Sequence, residues 1–306
     1  MSHLLDLHPD IADALIEGRP VVALESTIIS HGMPYPINLE VAQRVERIIR
    51  DCGAIPATIG LLDGRIRVGL TAEELSIFAQ SGDVSKVSTR DLGLVLASGK
   101  KGATTVAATM IVAALAGIRV FVTGGLGGVH RGAEQSFDVS ADLTELGRRQ
   151  VAVVCAGAKA ILDLPKTLEV LETGGVPVLG YGTAEFPAFY SRSSGLTLSA
   201  TVETPEEAAR TMQAHWRLGL ESGLVIANPI PEAAALDRQE IETHIRQALK
   251  EADEAGVSGK DVTPFLLRRL VELSANRTLE ANIALIENNA RLGGQLAVAY
   301  AKLPLE

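Results

Sequence analysis

The sequence predicts an α/β protein, specifically a three-layer α/β/α sandwich with a mixed, largely parallel central sheet. Two observations support this fold class. Short apolar runs alternate with amphipathic stretches along the 306 residues, and several of the apolar runs carry no charged residue. Strands that are apolar throughout are typical of parallel sheets that helices cover on both faces. No charged or Pro-rich linker interrupts the alternation, so we expect one domain over residues 1–306.

Each element follows from a local pattern: strands are short β-branched or apolar runs, and helices repeat apolar residues three and four positions apart. The first half contains a strand at Val21–Leu24, a helix at Ile37–Arg50, strands at Ile55–Leu61 and Arg65–Val68 joined by an Asp63-Gly64 turn, a helix at Ala72–Gln80, an apolar helix at Thr104–Ala116 and a strand at Ile118–Val122. The second half contains a helix at Ala141–Arg148 capped by Ser140, a strand at Val151–Cys155, a helix at Leu164–Thr173, a strand at Val176–Tyr181, a helix from Thr204 to Leu218, a strand at Gly223–Ala227 and long helices at Gln239–Ala255 and Leu279–Leu303.

Composition narrows the classes of function. The net charge is −9 and the pI is about 5.3, which argues against nucleic-acid binding because a duplex binder needs a basic face. A small anionic ligand is compatible with this charge, since a pocket can be locally positive. The most apolar run, residues 102–117, is too short to cross a bilayer, and residues 1–20 do not resemble a signal peptide. With Cys52 and Cys155 predicted to be reduced thiols, we expect a cytoplasmic protein without a membrane or nucleic-acid partner.

Polar residues follow four of the predicted strands directly. In largely parallel sheets, ligands bind where the strands end. The segments that should converge there are Glu25-Ser26-Thr27, Thr123-Gly124-Gly125, Ala156-Gly157-Ala158-Lys159 and Asn228-Pro229.

A glycine-rich segment, residues 123–132, follows one buried strand and contains five glycines with His130 and Arg131. Such a loop can turn its amides toward an anion, although a turn made only for packing has the same composition. The segment matches neither the dinucleotide fingerprint nor the Walker loop. The nearby Gly99-Lys100-Lys101-Gly102 also lacks Walker spacing, so a nucleoside triphosphate or dinucleotide site is not supported.

A phosphate site is predicted at the start of the apolar helix. Free amides and the hydroxyls of Thr104 and Thr105 would face the anion there, next to Val106. The hydroxyls could equally serve as helix caps. Lys86, in an otherwise uncharged stretch, could add the positive charge, although a lone lysine is often a surface residue.

Lys159 and Glu25 are the candidates for chemistry. Lys159 ends a strand among small apolar residues, and removing an amine from water favours its neutral, nucleophilic form. A lysine that reaches solvent is the alternative. Glu25 follows a core strand, where partial burial would suit it to general acid work, unless it serves a helix N-terminus. His31 lies in a loop near Glu25 and is a further candidate.

Three carboxylates at four-residue spacing, Glu134, Asp138 and Asp142, would share one face of a helix. Such a cluster beside a phosphate loop suggests a hard divalent cation that keeps most of its water. Acidic residues placed for the helix dipole are the alternative.

Several long strings of the sequence, taken together, closely resemble the pseudouridine-5′-phosphate glycosidases, the indigoidine-synthase-A-like family. They are Val21–Pro34, Gly102–Ala107, Thr123–Glu134, Ser140–Leu143, Val153–Lys159, Ala227–Pro231, Thr263–Leu267 and Asn282–Ala290. The resemblance spans essentially the whole chain. One stretch departs from it, because the turn before the last helix has Asn276 where the family usually has glycine.

The resemblance implies reversible cleavage of pseudouridine 5′-phosphate to uracil and ribose 5-phosphate by a homotrimer with one Mn²⁺ per subunit. It implies that Lys159 is the covalent nucleophile, Glu25 the proton donor and Asp138 the metal ligand. The substrate-contacting positions that it implies are Lys86, Val106, His130, Ser140, Ala141, Asp142 and Asn282.

Two other readings fit part of the pattern. A lysine-dependent phosphosugar aldolase or isomerase would also form a borohydride-trappable lysine adduct but would release no uracil. A non-catalytic metabolite-binding module would use the glycine loop only to hold a phosphate, and would keep its ligand affinity without Lys159 and Glu25.

Overall fold

The computed structural model describes residues 4–257, 259 and 262–304. The strands are Leu5–Leu7 (β1), Val21–Leu24 (β2), Ile55–Leu62 (β3), Arg65–Val68 (β4), Ser85–Val87 (β5), Gly102–Thr104 (β6), Val120–Val122 (β7), Val129–His130 (β8), Ala152–Cys155 (β9), Leu162–Asp163 (β10), Val178–Tyr181 (β11), Ala200–Val202 (β12) and Leu224–Ala227 (β13). The helices are Pro9–Ile16 (α1), Ile37–Asp51 (α2), Ala72–Gln80 (α3), Leu92–Ser98 (α4), Val106–Ala116 (α5), Ala133–Ser136 (α6), Ala141–Leu146 (α7), Leu164–Thr173 (α8), Pro205–Arg217 (α9), Arg238–Glu254 (α10), Val262–Leu273 (α11) and Arg277–Ala301 (α12).

The central sheet is mixed and largely parallel, as predicted. Its main path runs β1-β4-β3-β2-β7-β9-β13-β11-β12, and β6 and β5 extend it from β3. Every pair from β3/β2 to β11/β12 is parallel, whereas β3 pairs antiparallel with both β4 and β6. A separate two-stranded sheet joins β8 to β10.

Helices form a layer on each face of this sheet, which gives the predicted three-layer α/β/α architecture. On one face α12 lies across β2, β7 and β9 and packs on α2 and α9. The other layer contains α5, which packs on α7, and α7 in turn packs on α8. The strands β7, β9 and β13 are buried along their whole length, so the sheet centre is the core of the protein.

A close approach between α12 and the sheet depends on glycine. A Cβ atom at Gly293 would lie 2.0 Å from Cγ2 of Val122 in β7. Only a residue without a side chain lets the helix come this near the strand. The approach brings the first half of α12 to the carboxyl ends of the central strands.

The apolar helix begins later than the sequence suggested. Residues 102–104 form β6, and α5 starts at Val106 with Thr105 as its N-cap. Thr104 is therefore a strand residue whose hydroxyl donates to the Ile59 carbonyl, and it does not cap the helix. The prediction was wrong here because three strand residues directly preceding a helix leave no gap in the apolar pattern.

Two turn predictions are confirmed. Asp63 and Gly64 both adopt positive φ angles, 53° and 73°, in the hairpin between β3 and β4. Asn276 adopts a φ of 69° before α12, so it takes the left-handed conformation that glycine would otherwise supply. Among the described residues, no helix has the length and apolar character needed to cross a membrane. Cys52 and Cys155 are both free thiols.

Candidate active site

A cavity of about 510 Å³ opens at the carboxyl ends of the central strands, where the rule for parallel sheets places a ligand. All eleven residues singled out from the sequence as catalytic, substrate-binding or metal-binding candidates line it. They are Glu25, Lys86, Thr105, Val106, His130, Asp138, Ser140, Ala141, Asp142, Lys159 and Asn282. His31 lines it as well. The structure thus gathers into one cavity residues that lie far apart in the chain.

Glu25 is a buried carboxyl at one end of this cavity. It follows β2 directly, and 9% of the residue is exposed. The hydroxyl of Thr123, the first residue after β7, donates a hydrogen bond of 2.5 Å to Glu25 Oε1. Burial raises the pKa of Glu25 above its ordinary value, although the positive charge of Lys159 and the Thr123 hydrogen bond oppose the rise. The group is therefore suited to donating a proton.

Lys159 lies on a tight turn after β9. Gly157 adopts a φ of 84° in this turn, and a Cβ atom there would meet the carbonyl oxygen of Pro187 at 2.2 Å. The Lys159 amide donates to the carbonyl of Leu126, so the turn is fixed to the glycine-rich segment. Within the part of the chain that the structure describes, Lys159 Nζ has no hydrogen bond or ion pair. Lys159 is half-buried and lines the cavity.

The glycine-rich segment packs more tightly than its sequence alone indicates. A Cβ atom at Gly127 would lie 2.3 Å from Ser140 Oγ and 2.7 Å from Asp142 Oδ2, and one at Gly125 would lie 2.5 Å from the ring of Phe189. The glycines are needed for this close approach.

Four amides of the same segment donate within the protein and do not face an open anion site, contrary to the expectation for them. The amide of Leu126 donates to Gly157, that of Gly127 to Asp142, that of Val129 to Thr167 and that of His130 to Asp138. Protein acceptors occupy these donors, so the segment is a rigid wall of the cavity.

Asp142 connects two walls of the cavity. Its Oδ1 accepts from the Ala107 amide at 2.9 Å and its Oδ2 accepts from the Gly127 amide at 2.8 Å. The residue is 5% exposed and its own amide is capped by Ser140 Oγ. The carboxylate therefore fixes the start of α5 against the glycine-rich segment.

The start of α5 retains one open amide. The amides of Ala107, Ala108 and Thr109 donate to Asp142, Thr105 Oγ1 and the Thr105 carbonyl, respectively. Among the described residues, that of Val106 has no acceptor. Val106 can thus contact an anion through its backbone, although its side chain is apolar. Lys86 lines the same part of the cavity, because β5 pairs with β6 and sets Lys86 beside Ala103.

His130 and Asp138 lie at another side of the cavity. His130 Nδ1 is 3.9 Å from Asp138 Oδ2, and the Asp138 side chain is 42% exposed. Burial lowers the pKa of His130, and the charges of Lys159 and Lys86 act in the same direction, whereas Asp138 opposes them. The imidazole is therefore neutral near neutral pH.

The expected helical face of three carboxylates is not formed. The helix that carries Glu134, α6, ends at Ser136 because Phe137 adopts a φ of 55°. Glu134 turns away from the cavity to pair with Lys166 at 2.9 Å, and Asp142 is held by amides. Of these three residues, Asp138 alone has an exposed carboxylate that lines the cavity. Among the described residues, no group of three or more His, Cys, Asp or Glu side chains could hold a metal ion. A hydrated ion with few protein ligands is compatible with this arrangement.

Asn282 contributes an unusual acceptor. Its Oδ1 is buried and has no hydrogen-bond partner among the described residues, and it lines the cavity from α12. A buried polar atom without a partner is costly, so a ligand that donates to it would recover free energy. Further along α12, Asn289 donates to the carbonyl of Thr123 at 2.9 Å and accepts from Asn228 at 3.0 Å.

Sequence reasoning missed several lining residues. Thr123 was recognised as part of a loop, but its bond to Glu25 depends on the adjacency of β2 and β7. Phe189 lies in an irregular segment without a periodic pattern. Other lining residues that it missed include Ser88, Thr89, Arg90 and Asp91 after β5, and Val139 and Leu162. A polar run after a strand is the signal that could have found the first four.

The fold and the site define an α/β protein in which a lysine, a buried acid and an open helix amide face one cavity. The profile of the indigoidine synthase A like proteins matches residues 10–299. The pseudouridine-5′-phosphate glycosidase of Deinococcus radiodurans is 59% identical over 299 residues, covering 98% of this chain and 96% of the relative. The protein of the same name from Caldanaerobacter subterraneus subsp. tengcongensis is 58% identical over 303 residues, covering 99% of both.

Two solved structures are similar throughout. The prealnumycin C-glycosynthase AlnA, in complex with ribulose 5-phosphate, has a TM-score of 0.91 at 40% identity over 98% of both chains. An indigoidine synthase A-like protein from Thermotoga maritima has a TM-score of 0.90 at 39% identity over 99% of both chains. The chain belongs to the indigoidine synthase A-like family.

Proposed function

We propose that this protein is an enzyme that reversibly cleaves the carbon–carbon glycosidic bond of pseudouridine 5′-phosphate, giving uracil and ribose 5-phosphate. One observation carries the proposal: a buried acid, Glu25, and an unpaired lysine, Lys159, face the same cavity as the open amide of Val106. Relatives that are 58–59% identical over the whole chain carry the name of this activity. The similar C-glycosynthase was solved with a pentulose phosphate.

The scissile bond determines which chemistry is needed. It joins C1′ of the ribose to C5 of the base, so the leaving atom is a carbon. The two-carboxylate mechanism of ordinary glycosidases, in which one carboxylic acid protonates a leaving oxygen, is therefore not sufficient. Opening the ribose ring first solves this difficulty. The protonated Glu25 donates its proton to the ring oxygen as the bond from that oxygen to C1′ breaks.

Lys159 then acts as the nucleophile. Its amine adds to C1′, and the ammonium that forms returns a proton to the Glu25 carboxylate. The same proton goes to C5 of uracil, and the bond from C1′ to C5 breaks while the nitrogen lone pair forms the imine. Water adds to the imine, ribose 5-phosphate leaves, and the Lys159 amine and the Glu25 carboxyl are regenerated. The sum is one substrate and one water giving two products.

The remaining lining residues would bind and orient the substrate. The Val106 amide and Lys86 would hold the 5′-phosphate, and Thr105 caps the helix that presents this amide. Asn282 Oδ1 would accept a hydrogen from the substrate. Ser140 and Ala141 begin α7, and the carboxylate of Asp142 would hold the start of α5 and the glycine-rich segment in fixed positions relative to each other.

A divalent cation completes the proposal. Asp138 would hold Mn²⁺ with His130 beside it, and most of the remaining ligands would be water. The ion would supply positive charge to the substrate from that side of the cavity. We also propose a homotrimer with one Mn²⁺ per subunit in the cytoplasm, on the strength of the family resemblance.

The direct test is incubation with pseudouridine 5′-phosphate and Mn²⁺, with chromatographic detection of uracil and ribose 5-phosphate. The Lys159→Ala variant, prepared in parallel, is the control for a contaminating enzyme. Release of both products by the native protein alone supports the proposal. A lysine adduct with a sugar phosphate but no uracil would favour an aldolase or isomerase, and tight binding without turnover would favour a binding module.

A further inference from the structure

A cluster of three hydroxyls lies between the proposed acid and the start of α5. Ser26, Thr104 and Thr109 have no exposed surface. Ser26 Oγ donates to the Ile59 carbonyl at 2.6 Å and accepts from the Thr104 amide at 2.9 Å. Thr104 Oγ1 donates to the same carbonyl at 2.9 Å and accepts from Thr109 Oγ1 at 2.9 Å. The cluster is satisfied entirely within the protein, so it is not a ligand site.

The positions of these residues in the chain give the cluster a role. Ser26 follows Glu25 directly, and Thr104 precedes Thr105, the cap of α5, and Val106, whose amide is open. The bond from the Thr104 amide to Ser26 Oγ joins two strand ends that do not pair, since β2 and β6 each pair with β3 instead. A longer bond of 3.4 Å from Thr27 Oγ1 to the Ala103 carbonyl also joins them. The shorter, fully buried link between the acid and the proposed phosphate corner is the Ser26 side chain.

Buried hydroxyls whose hydrogen bonds are all made within the protein form a rigid connection between the start of α5 and the acid. Interiors pack at the density of organic crystals and respond to displacement as a unit. Moving the start of α5 would displace Thr104, and the displacement would reach Glu25 through Ser26. Asp142 ties the same helix start to the glycine-rich segment, which leaves the Ser26 side as the path to the acid.

We propose that Ser26 is a positioning residue that, through its bond to the Thr104 amide, couples occupation of the phosphate corner to the placement of Glu25. The inference rests on the proposed function. Binding energy from a part of the substrate that does not react can be used to raise the rate at the reacting atoms. Here the 5′-phosphate would fix the start of α5, and the hydroxyl cluster would fix the acid in its working position.

The test supplies the nucleoside part and the phosphate part of the substrate as two separate molecules. Cleavage of unphosphorylated pseudouridine is measured with and without phosphite, a dianion that can fill the phosphate corner. In the native protein, phosphite raises kcat/KM for pseudouridine. In Ser26→Ala, which removes the acceptor of the Thr104 amide, the activation by saturating phosphite falls about threefold to tenfold, the effect of one lost hydrogen bond. The concentration of phosphite giving half activation stays the same, because the Ser26 side chain does not touch the anion.

Two further variants separate positioning from general damage to the core. Thr104→Val removes a hydroxyl of the same buried cluster but keeps the Thr104 amide, so the bond to Ser26 Oγ remains. Thr109→Val is the second control, since Thr109 is equally buried and donates only to Thr104 Oγ1, again leaving that bond intact. Both variants should lower the melting temperature as Ser26→Ala does but keep the phosphite activation.

The outcomes are distinct. If native protein cleaves pseudouridine 5′-phosphate but phosphite does not activate pseudouridine cleavage, the phosphate is only an anchor and the coupling is overturned. Equal activation in native protein and Ser26→Ala also overturns it. A loss in Thr104→Val or Thr109→Val as large as in Ser26→Ala would show a nonspecific core effect and reject the assignment. If pseudouridine 5′-phosphate itself is not cleaved, the proposed function fails first, and the coupling with it.

Discussion

Thr123 Oγ1 lies 2.5 Å from Glu25 Oε1 and donates its hydrogen to it. Because Oε1 accepts this hydrogen, the proton of the neutral acid belongs on Oε2. The hydrogen bond therefore determines which oxygen donates to the substrate, and it also favours the charged form of Glu25 against the effect of burial.

Thr123→Val removes this donor at nearly constant volume. The pKa of Glu25, already raised by burial, should rise further because the carboxylate loses a partner. Activity that needs the protonated acid is lost as pH rises through this pKa, so the alkaline limb of the kcat profile should move to higher pH. The maximal rate should fall, since the proton is no longer confined to one oxygen. Thr123→Ser, which keeps the donor, should retain the native profile. A limb that moves to lower pH would contradict this account.

Lys159→Ala should abolish both turnover and the adduct trapped by borohydride with ribose 5-phosphate. Glu25→Gln keeps the shape of the acid but cannot donate a proton as an acid, and should lose about a hundred- to ten-thousand-fold in rate. It should still form the trapped adduct, because ribose 5-phosphate opens spontaneously. Mass spectrometry of the reduced proteins locates the modified lysine. An adduct on Lys86, or one that persists in Lys159→Ala, would refute the assignment.

Asp138→Asn should weaken binding of Mn²⁺, because Asp138 carries an exposed carboxylate that lines the cavity, whereas amides hold the carboxylate of Asp142. Binding can be followed without turnover by the paramagnetic relaxation of water protons. In the native protein, EDTA should remove activity and added Mn²⁺ should restore it. Glu134→Gln is the matched control, since Glu134 pairs with Lys166 outside the cavity. Unchanged Mn²⁺ affinity in Asp138→Asn would reject the site.

Gly127→Ala should inactivate the protein, because its Cβ would meet Ser140 Oγ at 2.3 Å and Asp142 Oδ2 at 2.7 Å. The collision separates the glycine-rich segment from the start of α5. Gly93→Ala provides the comparison, since a Cβ at Gly93 meets nothing within 4 Å. The test is to compare the steady-state kinetics and the melting temperatures of the two variants. Native activity in Gly127→Ala would show that the close contact is dispensable.

The sequence was sufficient for the fold class and for eleven residues that line the cavity, because strand ends and long motifs are local features. It was insufficient for the other lining residues and for the contacts among them. The glycine-rich segment has the composition of an anion loop, yet four of its amides donate to Asp142, to Thr167 and to backbone carbonyls. The same composition serves both purposes, and only the distance between α7 and the loop distinguishes them. The prediction that the three carboxylates share one helical face was wrong for a similar reason, because no local feature of the sequence indicated that the helix would end at Phe137.

The bond from Asn289 to the Thr123 carbonyl joins residues 166 positions apart. Contacts of such long range form slowly, because a long loop must close before they contribute free energy. Asn289 holds the loop that carries Thr123, and Thr123 orients Glu25, so the acid is set only after α12 docks on the sheet. During refolding, recovery of secondary structure should therefore precede recovery of activity, and a chain caught between these stages would have its strands but no working acid.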